Sequence, residues 1–178
     1  DILATHLYNA QTHHLILYCD SDWNSLNDID SYGHDIETSW LLMEAAEALE
    51  DPQIFERCKK VALELADSSL KEGINAMGAM MYERHGDRIR RDASWWCQAE
   101  TVVGCINAWQ LTGKQTYLDS AIRTWNFIKE RMIDKEYGEW FRTVSEDGTP
   151  RYKEAKASMW NCPYHNSRMG FEIDRRLK

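Results

Sequence analysis

Apolar residues along this chain fall into long stretches with helical spacing, separated by short runs rich in turn formers. The first such stretch is HDIETSWLLMEAAEALE, residues 34–50, where Ile36, Trp40, Leu41, Met43 and Leu49 recur near the helical repeat. Asp51-Pro52 closes it and opens the next helix, with Asp51 as the cap and Pro52 as the first helical residue. That second helix, over 52–72, presents Ile54, Phe55, Cys58, Val61, Ala62 and Leu65 on one side and stops at Gly73. Residues 78–95 lose the helical period, and HGDR predicts a tight turn between two short extended pieces. Helices are predicted again over 95–112, with Gly113 as the stop, and over 114–133. The EDG triplet then predicts a turn in a short hairpin, and residues 151–163 form a polar and aromatic loop ending in Cys162-Pro163. A last helix is predicted over 165–177.

The rhythm of helix, tight turn, helix and long loop occurs twice. The pairs 34–50/52–72 and 95–112/114–133 look like two hairpins of one repeated unit. The first helix of each pair carries the sharper polar signals (His34 and Glu37; Gln98 and Glu100), so an inner and an outer ring of helices is expected within a single domain, with the long loops gathered at one rim. Two and a half hairpins do not close a ring, and a half-shell would leave apolar flanks exposed. The chain also opens at Asp1 without Met, as if in the tail of a preceding helix. The expectation is therefore a missing N-terminal part, possible loss of a leader, and either that part or self-association covering the open edge.

Composition narrows the partners. The 178 residues are 43 % hydrophobic and 28 % charged, ordinary for a soluble domain with a real core. No apolar run reaches the roughly 18 residues that span a bilayer. A formal charge of −8 without a lysine–arginine stripe argues against nucleic acid and against an anionic membrane surface. Five cysteines with no CxxC pair argue against structural zinc and a disulfide framework, and point to a reducing compartment, hence the cytoplasm. Eight Trp and eight Tyr are the unusual part. Some tryptophans will be core, but beside polar groups they also suit a sugar, whose C–H faces pack on an indole and whose hydroxyls need donors and acceptors.

Three stretches could carry chemistry. In SYGHDIETSW, His34 lies in the first turn of a helix with Glu37 and Trp40 continuing its face, and an imidazole and a carboxylate at i,i+3 can form a paired unit. Taken alone, His34 also reads as a capping or core-edge histidine, and Glu37 as a capping-box glutamate. In MWNCPYHN, Trp160, Tyr164 and His165 crowd around Pro163 before a helix, and His165 alone is equally a satisfied loop histidine. In SWWCQAE, Trp95 and Trp96 point in different directions, so one at most stacks easily on a shared ligand, and Glu100 lies on the face of Trp96. His13 and His14 lie in a predicted loop near Asp20 and Asp22 without a defensible metal spacing, and His85 lies in an exposed turn.

SYGHDIETSW, WWCQAE, GEWF, EDGTP and WNCPYHN, in this order and spacing, resemble the cellobiose 2-epimerases of the N-acylglucosamine 2-epimerase superfamily, as does the lead-in LILYCDSDWNSLNDIDSYGHD. The resemblance covers essentially the whole chain. It implies an all-α fold, an (α/α)6 barrel with short β-hairpins in its rim loops, of which this chain is expected to be the C-terminal half only. It implies that His34 and His165 exchange protons at C2 of a reducing-end sugar. His165 would be the base that takes glucose-type substrate toward mannose-type product, and His34 its opposite-face partner. It further implies that Glu37 supports His34, that Trp40, Trp96 and Glu100 are needed for the site, and that Trp160 stacks on substrate. Cys97 and Met159 depart from the family pattern. The arginine and further histidine of the family's N-terminal half have no counterpart here, so this chain alone is expected to show little activity.

The chemistry explains why two histidines are needed. The C2 hydrogen of an open-chain aldose is acidic because it lies α to the aldehyde, and its removal gives an enediol that needs donors where charge builds on O1 and O2. A base on each face inverts C2 without large substrate motion, and histidine, with an ordinary pKa of about 6.5, can take and give a proton near neutrality. No metal or redox cofactor is required in principle. Three alternatives remain at this level. One is an aldose–ketose isomerase of the same superfamily, and another a glycoside hydrolase using Glu37 and Glu100 as its carboxylate pair. The third is a non-catalytic half-barrel that needs a partner chain.

Overall fold

The computed structural model describes residues 2–178. Five helices carry the fold. Helix α1 (Tyr32–Ala48) and α2 (Pro52–Gly73) form one hairpin, and α3 (Trp95–Thr112) and α4 (Gln115–Phe127) form a second. Helix α5 (Tyr164–Arg176) follows the long loop. The turn between α1 and α2 works as predicted. Asp51 is extended, and its carboxylate accepts from the Gln53 and Ile54 N–H groups at 2.9 and 3.1 Å, with Pro52 in the first turn. Helix α4 runs into a π-helical turn, Ile128–Met132, that places both Ile128 and Met132 in the core.

Packing separates the helices into two roles. Helix α3 lies between α1 and α5, while α2 packs chiefly on α1 and α4 on α3. Every residue of α3 from Trp95 to Ala108 is buried, polar ones included. Most of those polar groups are satisfied, the Trp95 indole N–H being without a hydrogen-bond partner. The Gln98 amide accepts from Met80 N and donates to the Met80 and Ser94 carbonyls, and the Thr101 hydroxyl donates to the Cys97 carbonyl. Close approach of α1 to α3 depends on two glycines. A Cβ on Gly33 would lie 2.5 Å from Trp96 Cη2 and 2.6 Å from Cys97 Sγ, and one on Gly104 would lie 2.7 Å from Ile36 Cγ1.

Short strands build the rim. Strands β1 (Tyr8–Asn9) and β2 (His14–Leu15) form one antiparallel pair. Strand β3 (Ile29–Asp30) pairs with β4 (Glu83–His85), and β4 with β5 (Arg88–Arg90) across the predicted HGDR turn. Strand β6 (Ala93–Ser94) pairs with β7 (Thr143–Val144), and Val144 also bridges Pro150 across the EDG turn. One apolar cluster runs from Tyr32 to Met169 through all five helices. The expected C-terminal half of an (α/α)6 barrel is therefore corrected in extent. The helical-hairpin fold with its rim strands takes up nearly the whole chain, because this continuous core ties the first hairpin to the last helix. Among the described residues, no helix is long and apolar enough to cross a membrane.

Candidate active site

A cavity of about 660 Å³ opens at the N-terminal ends of α1, α3 and α5 and is lined by His34, Glu37, Trp95, Trp96, Trp160 and His165 among others. Its floor is Trp96, whose ring centroid lies 4.8 Å from that of His34 and 5.7 Å from that of His165. Trp95 also reaches the wall, edge-on to His165 at 6.3 Å, so both tryptophans line the cavity. The close contact at Gly33 brings the first turn of α1 onto Trp96, which places His34 over the indole. Ser31 stands at the N-cap of α1 but makes no side-chain cap, because its hydroxyl sits 2.7 Å from His34 Nδ1 instead.

Beneath His165 lies a buried polar hub. Glu100, 1 % exposed, takes His165 Nδ1 at 2.7 Å and Arg168 Nη2 at 2.6 Å on one oxygen, and the Trp40 indole N–H at 2.9 Å on the other. Arg168 also donates to Glu37, and its guanidinium lies 5.0 Å from the Trp40 ring and 4.6 Å from that of Tyr164. Burial opposes the charged form of Arg168, but hydrogen bonds and charges from Glu100 and Glu37 outweigh it and raise its pKa above the ordinary value. Burial, with Glu100 and Glu37 nearby, pushes the Cys97 thiol well up, so it stays neutral.

The residues singled out in the sequence divide into two layers. His34, Glu37, Trp96, Trp160 and His165 face the cavity. Trp40 and Glu100 lie below it, as supports for Arg168 and His165. Glu37 accepts from the same Arg168 nitrogen as Glu100 does. Arg168 was missed by the sequence reading, although it stands at i,i+3 from His165 on the same helical face. Glu37, Glu100 and His165 offer ligand atoms within 4.8 Å of one another. Arg168 already brings a positive charge to both carboxylates, which leaves little electrostatic reason for a divalent cation there.

The wall opposite the helices is the loop 151–163, with Trp160 at 77 % exposure. Ionic contacts hold it down: Arg151 pairs with Asp92 and Glu154, and Lys156 pairs with Asp134 and donates to the Gly138 carbonyl at 2.9 Å. The Lys156 hydrogen bond, partly offset by desolvation, holds the Asp134 carboxyl below the usual carboxylate range.

Residues 1–167 match the family model described as N-acylglucosamine 2-epimerase (GlcNAc 2-epimerase). The chain belongs to that family. Within the family, it is 41 % identical over 169 residues to a cellobiose 2-epimerase of Bacteroides fragilis, covering 94 % of this chain and 43 % of that protein. It is 38 % identical over 174 residues to a cellobiose 2-epimerase of Eubacterium cellulosolvens, covering 97 % and 42 %. The crystal structure of a sugar epimerase from a ruminal bacterium superposes with a TM-score of 0.95 at 36 % identity, over 98 % of this chain and 45 % of that one. The chain thus spans less than half the length of these relatives. The expectation of a likeness to a C-terminal half alone is corrected by these matches: family sequence and fold extend over nearly the whole of this chain.

Proposed function

We propose that this epimerase-family site inverts C2 of the reducing-end glucose of a β-1,4-disaccharide, taking cellobiose to glucosylmannose through an enediol. The observation that carries the reading is that His34 and His165 line one cavity, both against the Trp96 ring. Their partners give them complementary states. Glu100 can only accept, so His165 carries its proton on Nδ1 and leaves Nε2 as a base. To deliver a proton His34 must act as the imidazolium, with Nδ1–H donating to the Ser31 hydroxyl at 2.7 Å and the Nε2 proton left for the sugar. His165 then removes the C2 proton of the glucose-type substrate, and His34 returns one on the other face. Glu37 and Glu100 hold Arg168 beside His165, so the arginine positions the carboxylate that accepts from His165 Nδ1. Trp96 and Trp160 offer indole faces to the sugar rings, and the cavity volume falls within the usual range for small-molecule sites.

A hydrolase built on Glu37 and Glu100 is disfavoured by the same geometry. The two carboxylates share one guanidinium, and Glu100 lies below the cavity, whereas a hydrolytic pair must face each other across the scissile bond. The test is to incubate the protein with cellobiose in D2O and follow the sugar by NMR. Glucosylmannose with deuterium at C2 is expected, and both signals should vanish in His165→Ala. A fructose-type product would replace the reading with an aldose–ketose isomerase, and free monosaccharides still released by the histidine variants would replace it with a hydrolase.

A further inference from the structure

A buried histidine, remote from the cavity wall, bears on the first turn of α1. His14 in β2 is 1 % exposed. Its Nδ1 lies 2.7 Å from Asp35 Oδ2, and the neighbouring Leu15 N–H donates to Asp35 Oδ1 at 2.9 Å. The β1–β2 hairpin therefore grips both oxygens of a fully buried carboxylate that directly follows His34 in the chain. The hairpin is itself tied to α2, through Ser68 to the His13 carbonyl at 2.6 Å and through Tyr8 to Glu64 at 2.7 Å.

The first turn of α1 needs such a restraint. Its N-cap serine has turned to His34 and caps nothing, so the usual side-chain anchor of a helix start is lacking there. Gly33 presses on Trp96 from one side, and the Asp35 clamp holds from the other. We propose that His14 is a positioning residue for His34, fixing the start of α1 by clamping Asp35 from the β1–β2 hairpin. Its role in turnover rests on the epimerase reading above, whereas its role in placing His34 does not.

The geometry specifies which nitrogen matters. Asp35 accepts, so His14 must donate from Nδ1, while Nε2 has no hydrogen-bond partner and faces Glu72 Oε2 at 3.4 Å. Asp30 from β3 and Arg84 from β4 complete the charged surroundings, Arg84 pairing with both Asp30 and Glu72, and the Tyr32 ring of α1 lies 6.1 Å away.

Two neutral amides separate the two nitrogens. In His14→Asn the amide nitrogen takes the place of Nδ1, whereas in His14→Gln it reaches toward the place of Nε2. The His34 ring resonances are expected to match wild type in His14→Asn and to shift in His14→Gln. In C2 exchange with cellobiose, His14→Gln should lose about 10- to 100-fold in kcat through misplacement of His34. Its KM should stay within about threefold, and His14→Asn should recover most of the rate. Equal behaviour of the two variants, or unshifted His34 resonances in a folded His14→Gln, would overturn the proposal. Should His14→Gln melt below the assay temperature, Asp35→Asn weakens the same bond from the helix side and is read in the same way. A wild-type protein without any C2 exchange would overturn the epimerase reading, and the resonance comparison would still decide the clamp.

Discussion

Replacing Glu100 with Gln tests the hub directly, since it keeps the shape and removes the charge. Three donors converge on this carboxylate: His165 and Arg168 on one oxygen and the Trp40 indole on the other. A glutamine has one oxygen to offer. Turned toward Arg168 and His165, it sets its own NH2 against the Trp40 N–H at a site where 2.9 Å now separates donor from acceptor. One buried N–H is then left unsatisfied, at a cost of about 1–3 kcal/mol. The two remaining bonds lose charge assistance, which roughly halves them and adds about 1–2 kcal/mol. Arg168 keeps Glu37, so the larger penalty of a stranded buried charge does not arise. The expected total is about 2–5 kcal/mol, or a fall in Tm on the order of 10 °C for a domain of this size. The kcat for C2 exchange should fall by about 100-fold as His165 loses the charged partner that stabilises its imidazolium. Thermal melts followed by circular dichroism read the first quantity and NMR in D2O the second. The decisive control is Trp40→Phe, which removes the opposing donor, so Glu100→Gln should cost less stability in that background than in wild type. A Glu100→Gln protein that melts within about 1 °C of wild type, with no coupling to Trp40→Phe, would refute the reasoning.

Gly33→Ala should cost about 1–3 kcal/mol in urea unfolding, because its Cβ has no room against Trp96 and Cys97. It should also depress kcat, since Trp96 has to move under both histidines. Asp51→Ala should cost about 1 kcal/mol through loss of the α2 cap and leave kcat unchanged, again by urea unfolding and C2 exchange. Stability should also vary with pH through His14. Burial opposes its protonation, but the hydrogen bond and charge of Asp35, with Asp30 and Glu72, raise its pKa overall. The stabilisation is then complete below the unfolded histidine value of about 6.5 and is lost as pH rises through the higher folded value. The Tm advantage of wild type over His14→Asn should accordingly shrink as pH rises above about 6.5.

Helices were legible from the chain wherever periodicity met a chemical stop. Asp51-Pro52 and Gly113 mark two such joints, and the predicted and observed elements meet there within a residue or two. Pairings across long sequence distance were not legible. Nothing local in Ile29–Asp30 says that it will pair with Glu83–His85, because those two segments meet only after the first hairpin has folded. The site shows the same divide. His34, Glu37, Trp96, Trp160 and His165 drew attention through local crowding of polar and aromatic residues, and all five face one cavity. Arg168 sits in a stretch of mixed charge that reads as a solvent face, and only the tertiary fold turns it onto two carboxylates. His14 and Asp35 lie 21 residues apart and meet only when the β1–β2 hairpin docks on α1.

The cavity has two walls of different physical kind. On the helix side, apolar packing and a largely buried ionic hub of Arg168, Glu37 and Glu100 hold the wall, and burial shields that hub from dissolved ions. The Trp160 loop is fastened instead by Arg151 with Asp92, both partly exposed, and by Lys156 with the buried Asp134. Such pairs weaken as salt shortens the Debye length from about 10 Å at 0.1 M to about 3 Å at 1 M. Ionic strength should thus act on the loop wall more than on the helix wall. On the proposed reading His34 and His165 stay in place while the Trp160 loop slackens, so added salt should raise KM for cellobiose and leave kcat nearly flat.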